Sequence, residues 1–192
     1  MNTARALLPT LLLAMAGGGF AATPPASAPL PAQWRSHDVL IELQALPRTY
    51  SCDELWYRVR DVLLAIGARA YMTITPYDCG TTHGGEARSP RVQARFQLPY
   101  VLEGADRRYS ELDVSEQPVR LTPGSPHSLQ AADCELMRQL QGTLLAGLQL
   151  HVAAAQFNCS GAQPSYSLTV DVPHALGSAG ARTADSGGKP RS

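Results

Sequence analysis

One pattern occurs twice along this chain and restricts its fold more than any other. A cysteine opens an apolar helical stripe, and the strand that follows ends in a second cysteine. The first copy runs from Cys52-Asp-Glu-Leu55 through Leu63-Leu64-Ala65 to Tyr77-Asp78-Cys79. The second runs from Cys134-Glu-Leu136 through Leu144-Leu145-Ala146 to Phe157-Asn158-Cys159. With one-residue gaps, Trp56 faces Met137 and Val59 faces Leu140. After each second cysteine comes a proline-ended strand, Phe96-Gln-Leu-Pro99-Tyr100 and Val170-Asp-Val-Pro173-His174. The coincidence of these features in one order predicts an internal duplication of about 38–99 and 92–174.

Within the first copy, Ser51 and Glu54 have the spacing of a capping box. Leu55, Trp56, Val59, Val62, Leu63 and Ile66 then form a core-facing helical stripe, and Gly67 suits the C-terminal cap. In the second copy Asp133 is the N-cap candidate. Leu136, Met137, Leu140, Leu144, Leu145 and Leu148 form the stripe. Period-two alternation marks strands at Val39–Leu43, Val92–Leu98 and Tyr166–Val172, and β-rich runs mark two more at Tyr71–Tyr77 and Leu150–Phe157. The order β-α-β-β-α-β-β predicts an α+β fold built on a ferredoxin-like, split β-α-β arrangement. The sheet is expected to be mostly antiparallel and five-stranded, with two helices on one face.

That geometry selects among the three possible cysteine pairings. A crossover helix runs antiparallel to the strands beside it, so the helix start and the end of the next strand lie at one edge. Cys52 should therefore bond Cys79, and Cys134 should bond Cys159. There is no C-x-x-C, and the cysteines are not closely paired as zinc sites usually require.

The ends point to export. Residues 1–21 carry one charge (Arg5), an apolar run of about 11 residues and small residues before Ala22, as a secretory signal peptide does. Residues 22–33 read as a Pro/Ala-rich linker. A single domain is expected over 34–175, and 176–192 read as a disordered tail. A periplasmic or secreted location follows, in which disulfides form readily.

The charge is balanced, 16 Lys+Arg against 16 Asp+Glu, which gives no overall attraction for nucleic acid. No G-x-S-x-G, H-E-x-x-H, P-loop or G-x-G-x-x-G occurs, so no catalytic residue, metal ligand or cofactor is assigned. His83, in the Gly-rich loop after Cys79, is a loop candidate; with Asp78 and Tyr77 it is the nearest the sequence comes to a dispersed site. The stretch Tyr100 to Ala132 has no counterpart before Cys52. It reads as an insertion, with a hairpin of Tyr109, Leu112 and Val114 against Val119 and Leu121. Its Arg107, Arg108 and Tyr109 are the partner-binding candidates. The sequence thus suggests a non-enzymatic domain that binds or scaffolds a protein partner in the bacterial cell envelope, with a small-ligand or ion-binding module as the alternative. Strand addition at a sheet edge is one available mode, although the pattern does not say which edge is open.

Overall fold

The structure is a computed structural model that describes residues 28–79 and 89–176. The expected signal peptide, the stretch holding His83 and the residues beyond Leu176, expected as a tail, lie outside the described residues. Helix α1 (Cys52–Ala65) starts where the sequence places it. The Glu54 N–H donates to Ser51 Oγ at 3.1 Å, and the Ser51 N–H donates to Glu54 Oε2 at 3.0 Å. The chain leaves the helix through Gly67 at φ +91°, a conformation that favours glycine. A Cβ there would also stand 3.2 Å from the Pro173 carbonyl oxygen. Helix α2 (Cys134–Leu140) continues through a wider π-type turn, Gln141–Leu145.

One antiparallel sheet of six strands carries these helices: β1 (Leu30–Glu42), β2 (Thr73–Tyr77), β3 (Arg91–Val101), β4 (Leu112–Leu121), β5 (His151–Asn158) and β6 (Ser165–Ala175). Their order is β2-β3-β1-β4-β6-β5. In the first half, β3 lies between β1 and β2, antiparallel to both. In the second half, β6 lies between β4 and β5 in the same way. In each half, the strand before the helix and the strand after it therefore flank the last strand. Within the sheet, the described residues of the two halves pair where Leu30, Pro31 and Ala32 meet Val114, Asp113 and Leu112.

The expected five-stranded sheet is therefore corrected to six strands, with no strand shared between two units. The stretch read as an insertion supplies the missing strand, and it forms one strand rather than a hairpin. The reason lies in where its apolar side chains point. Leu112 and Val114 sit on even positions of β4, whereas Val119 and Leu121 sit on odd ones. A strand with one buried face keeps one parity, so this switch reads as two strands. In the fold, Val114 is buried beside Ala32 at the junction, and Leu121 is buried in the main core on the other face. Strand β1 has the same switch between Ala32 and Ile41, which is why Leu30–Gln33 reads as linker although it pairs in the sheet.

The main core is continuous across both halves. Leu55, Val59, Val62 and Leu63 of α1 and Leu136, Met137 and Leu140 of α2 pack with Ile41, Val92, Leu168 and Val170 from the sheet. Burying each such side chain contributes about 1.5–3 kcal/mol. The disulfides Cys52–Cys79 and Cys134–Cys159 tie each helix start to the end of the strand after it, with Cα–Cα distances of 5.2 and 5.3 Å.

Candidate functional site

Strand β1 exposes an unpaired backbone edge. The Leu102 N–H donates to the Pro31 carbonyl, and the Leu43 N–H donates to the Pro90 carbonyl, so odd-numbered residues of β1 bond toward β3. Even-numbered residues point the other way. At the lower end, the Ala32 carbonyl accepts from Glu111 N–H at 2.9 Å, and the Trp34 N–H reaches Glu111 Oε2 at 3.5 Å. At the upper end, the Gln139 side chain of α2 holds both backbone groups of Gln44, at 2.8 and 2.7 Å. Between them, the N–H and C=O groups of Ser36, Asp38, Leu40 and Glu42 meet no backbone or side-chain partner among the described residues. Buried groups of this kind are nearly always paired, and exposed ones are templates for another strand.

Both ends of this edge are furnished. A groove of about 650 Å³ lies at the upper end, with Glu42, Gln44 and Ala45 on one wall and Arg138, Gln139 and Thr143 of the second helix on the other. The lower end meets the short 3-10 turn Gly104–Tyr109. Arg107, Arg108 and Tyr109 are exposed on that turn, with the Arg108 guanidinium 4.8 Å from the Tyr109 ring centre. On the edge itself Leu40 is 57% exposed. Asp38 accepts from Arg95 Nε at 2.8 Å and from Gln93 Nε2 at 3.1 Å; these bonds, Gln93's first, hold its pKa below the usual carboxylate value.

The other edges are blunted. Strand β2 is short and has Pro76 on its outer side. Strand β5 carries a bulge between Val152 and Ala154. On β4 the residues pointing away from β6 are Glu116, Pro118 and Arg120, and Pro118 has no N–H to offer.

A second polar cluster centres on a buried carboxylate. Asp133 is fully buried, and Arg58 Nε donates to both of its oxygens at 3.0 Å. The Tyr50 hydroxyl donates to Asp133 Oδ1 at 3.0 Å, and Gln130 N–H donates to Oδ2 at 2.8 Å. Arg48 bridges Glu54 at 2.9 Å and Asp133 at 3.7 Å, with its guanidinium 4.3 Å from the Tyr50 ring centre. Burial, reinforced by the Asp133 charge, pushes the Tyr50 phenol well above its ordinary pKa, and Tyr166 is raised by the same two causes. The cluster latches α1 of the first half to the start of α2 in the second. Asp133 therefore does not cap α2 through its side chain, as its position suggests, because its oxygens are drawn inward to Arg58. The clue was Arg58 itself, a charge set within the apolar stripe between Leu55 and Val62.

The remaining sequence candidates do not converge. Asp78 accepts two bonds from Arg91, at 3.0 and 2.6 Å, and the Tyr77 hydroxyl reaches Gln93 Oε1 at 3.4 Å. His83 lies outside the described residues. No three His, Cys, Asp or Glu side chains gather as metal ligands would among the described residues. Nor is any helix among them long and apolar enough to cross a membrane. No protein-family model, curated protein or solved structure matches this chain.

Proposed function

We propose that this chain is an exported, disulfide-stapled adaptor of the cell envelope that acts by binding rather than catalysis. In this reading the two halves are copies of one β-α-β-β unit, and the first copy's leading strand takes up an extended segment of a partner protein. The observation that carries the reading is the unpaired run Ser36–Asp38–Leu40–Glu42. Its N–H and C=O groups recur every second residue, about 6.8 Å apart, a spacing that another β-strand complements. Main-chain bonds would supply affinity, and side chains beside the strand would supply selectivity. An apolar residue fits opposite Leu40 and a basic one opposite Glu42. Arg107, Arg108 and Tyr109 would meet the partner beyond the lower end of the edge. The two disulfides and the signal-like start support export.

A photo-crosslinking residue placed at Leu40 tests this in the living envelope, with Arg120 on the opposite edge as control. The reading expects one partner protein captured from position 40 and none from 120. That capture should vanish when Asp38→Pro is added, since proline removes an outward N–H. Equal capture from both positions, or capture that survives Asp38→Pro, would defeat it.

A further inference from the structure

The seam between the halves encloses a second site that the strand-addition reading does not use. A cavity of about 210 Å³ lies between Arg35, His37 and Leu98 of the first half and Leu148, Leu150 and Pro173 of the second. Tyr100 and Gln149 also line it. Its lining mixes apolar side chains with a few polar ones, as small-molecule sites do.

The polar groups are unevenly charged. The Arg35 side chain forms no ion pair or hydrogen bond to a described residue, and its guanidinium carbon lies 5.0 Å from the Tyr100 ring centre. Its N–H groups therefore have no acceptor among the described residues, and a guanidinium with free N–H groups can take a carboxylate in two bonds. His37 stacks on Phe96 with centroids 5.5 Å apart. Burial, and secondarily Arg35, lowers its pKa, so at neutral pH it adds a hydrogen-bonding ring and no second charge. Gln149 is held at φ +56°, an unusual backbone for a residue with a side chain, by bonds from its own N–H to Ala146 and from Leu150 N–H to Leu145. These two bonds are a Schellman close of the second helix, and they fix Gln149 in the cavity wall.

We propose that this cavity binds a monoanionic amphipathic molecule, a carboxylate with a short apolar tail, its head on the Arg35 fork and its tail against Leu98, Leu148 and Leu150. One cation calls for one negative charge, which favours a carboxylate over a phosphate dianion. The volume falls below the 300–1,000 Å³ of drug-sized sites, which sets a short tail. Because both halves line the cavity, the ligand would bridge them.

The test titrates the disulfide-bonded chain with hexanoate, hexanol and acetate, following backbone and Arg35 side-chain NMR signals. Hexanoate should move signals of Arg35, Val101 and Leu148–Leu150 with a Kd on the order of 1 mM, the range open to so small a ligand. Hexanol, without the charge, and acetate, without the tail, should each bind about tenfold more weakly or worse. Arg35→Gln, at an exposed side chain, should keep the folded spectrum and weaken hexanoate by about tenfold or more. The proposal fails if hexanoate leaves these signals in place, if Arg35→Gln binds it equally well, or if hexanol or acetate matches it.

Discussion

Strands β1 and β4 hold corresponding places in the two halves, yet they present opposite edges. Each leads its unit, pairs with the last strand of that unit and touches the other at the junction. Beyond the junction β1 offers Ser36, Asp38, Leu40 and Glu42 with every N–H intact, while β4 offers Glu116, Pro118 and Arg120, with a proline at the centre. Topology alone would leave both edges equally sticky. A proline closes the β4 edge while the β1 edge keeps every N–H, so the two edges differ although the strand order of the halves does not.

The first way to probe this contrast is to sever the halves. Asp133→Ala leaves Arg58 buried without its counter-charge and the Tyr50 hydroxyl without its acceptor. It should cost about 3–5 kcal/mol in urea unfolding, and a loss under 1 kcal/mol would mean the latch contributes little.

Next come the staples. The disulfides span 27 and 25 residues, so the loop-entropy estimate gives about 3.5 kcal/mol for each. Replacing Cys52 and Cys79 together by alanine, or Cys134 and Cys159 together, should therefore destabilise the protein nearly equally. A large inequality in their unfolding midpoints would show that one half is held together differently.

A third comparison exchanges the edges. Leu40→Pro should abolish partner binding and change stability by only about 1 kcal/mol, since proline is tolerated on an edge strand. Pro118→Val should restore an outward N–H on β4 and promote self-association at high concentration. Sedimentation of both variants decides the matter, and an inert Pro118→Val would mean that Glu116 and Arg120 suffice to guard that edge.

The smallest expected effect concerns acid. Burial raises the pKa of Glu54, but the Ser51 N–H and the Arg48 and Arg58 charges outweigh it, so the folded value lies below the ordinary 4.5. A depressed carboxylate contributes its stability above the unfolded pKa and loses it as pH falls through the folded value. Glu54→Gln should therefore narrow the stability gap between pH 7 and pH 3 by less than about 1 kcal/mol, given the partial exposure of the group. A wider gap would contradict that assignment.

What the sequence made legible was local. Helix stripes repeat every three to four residues, and Ser51 with Glu54 caps α1 from within four positions. The cysteine pairs follow once a helix is placed beside its strand. What escaped reading depended on which face a residue meets. Ala32 and Val114 are buried by the junction, while Ile41 and Leu121 are buried by the helices, so β1 and β4 change parity midway and neither shows an unbroken alternation. The Arg58–Asp133 pair joins residues far apart in the chain, and only the intruding charge in the helix stripe hinted at it. The open edge was not legible at all. Whether Leu40 N–H has a partner is decided by how far β4 runs alongside β1, and no pattern within either strand records that overlap.

Amide hydrogen exchange across β1 reads the open edge residue by residue. Ser36, Asp38, Leu40 and Glu42 should exchange rapidly in the free protein while His37, Val39 and Ile41, bonded toward β3, are protected. Adding the partner's segment should slow those four and leave the other three unchanged. Protection of all seven in the free chain, or continued rapid exchange of the four in the complex, would contradict strand addition at this edge.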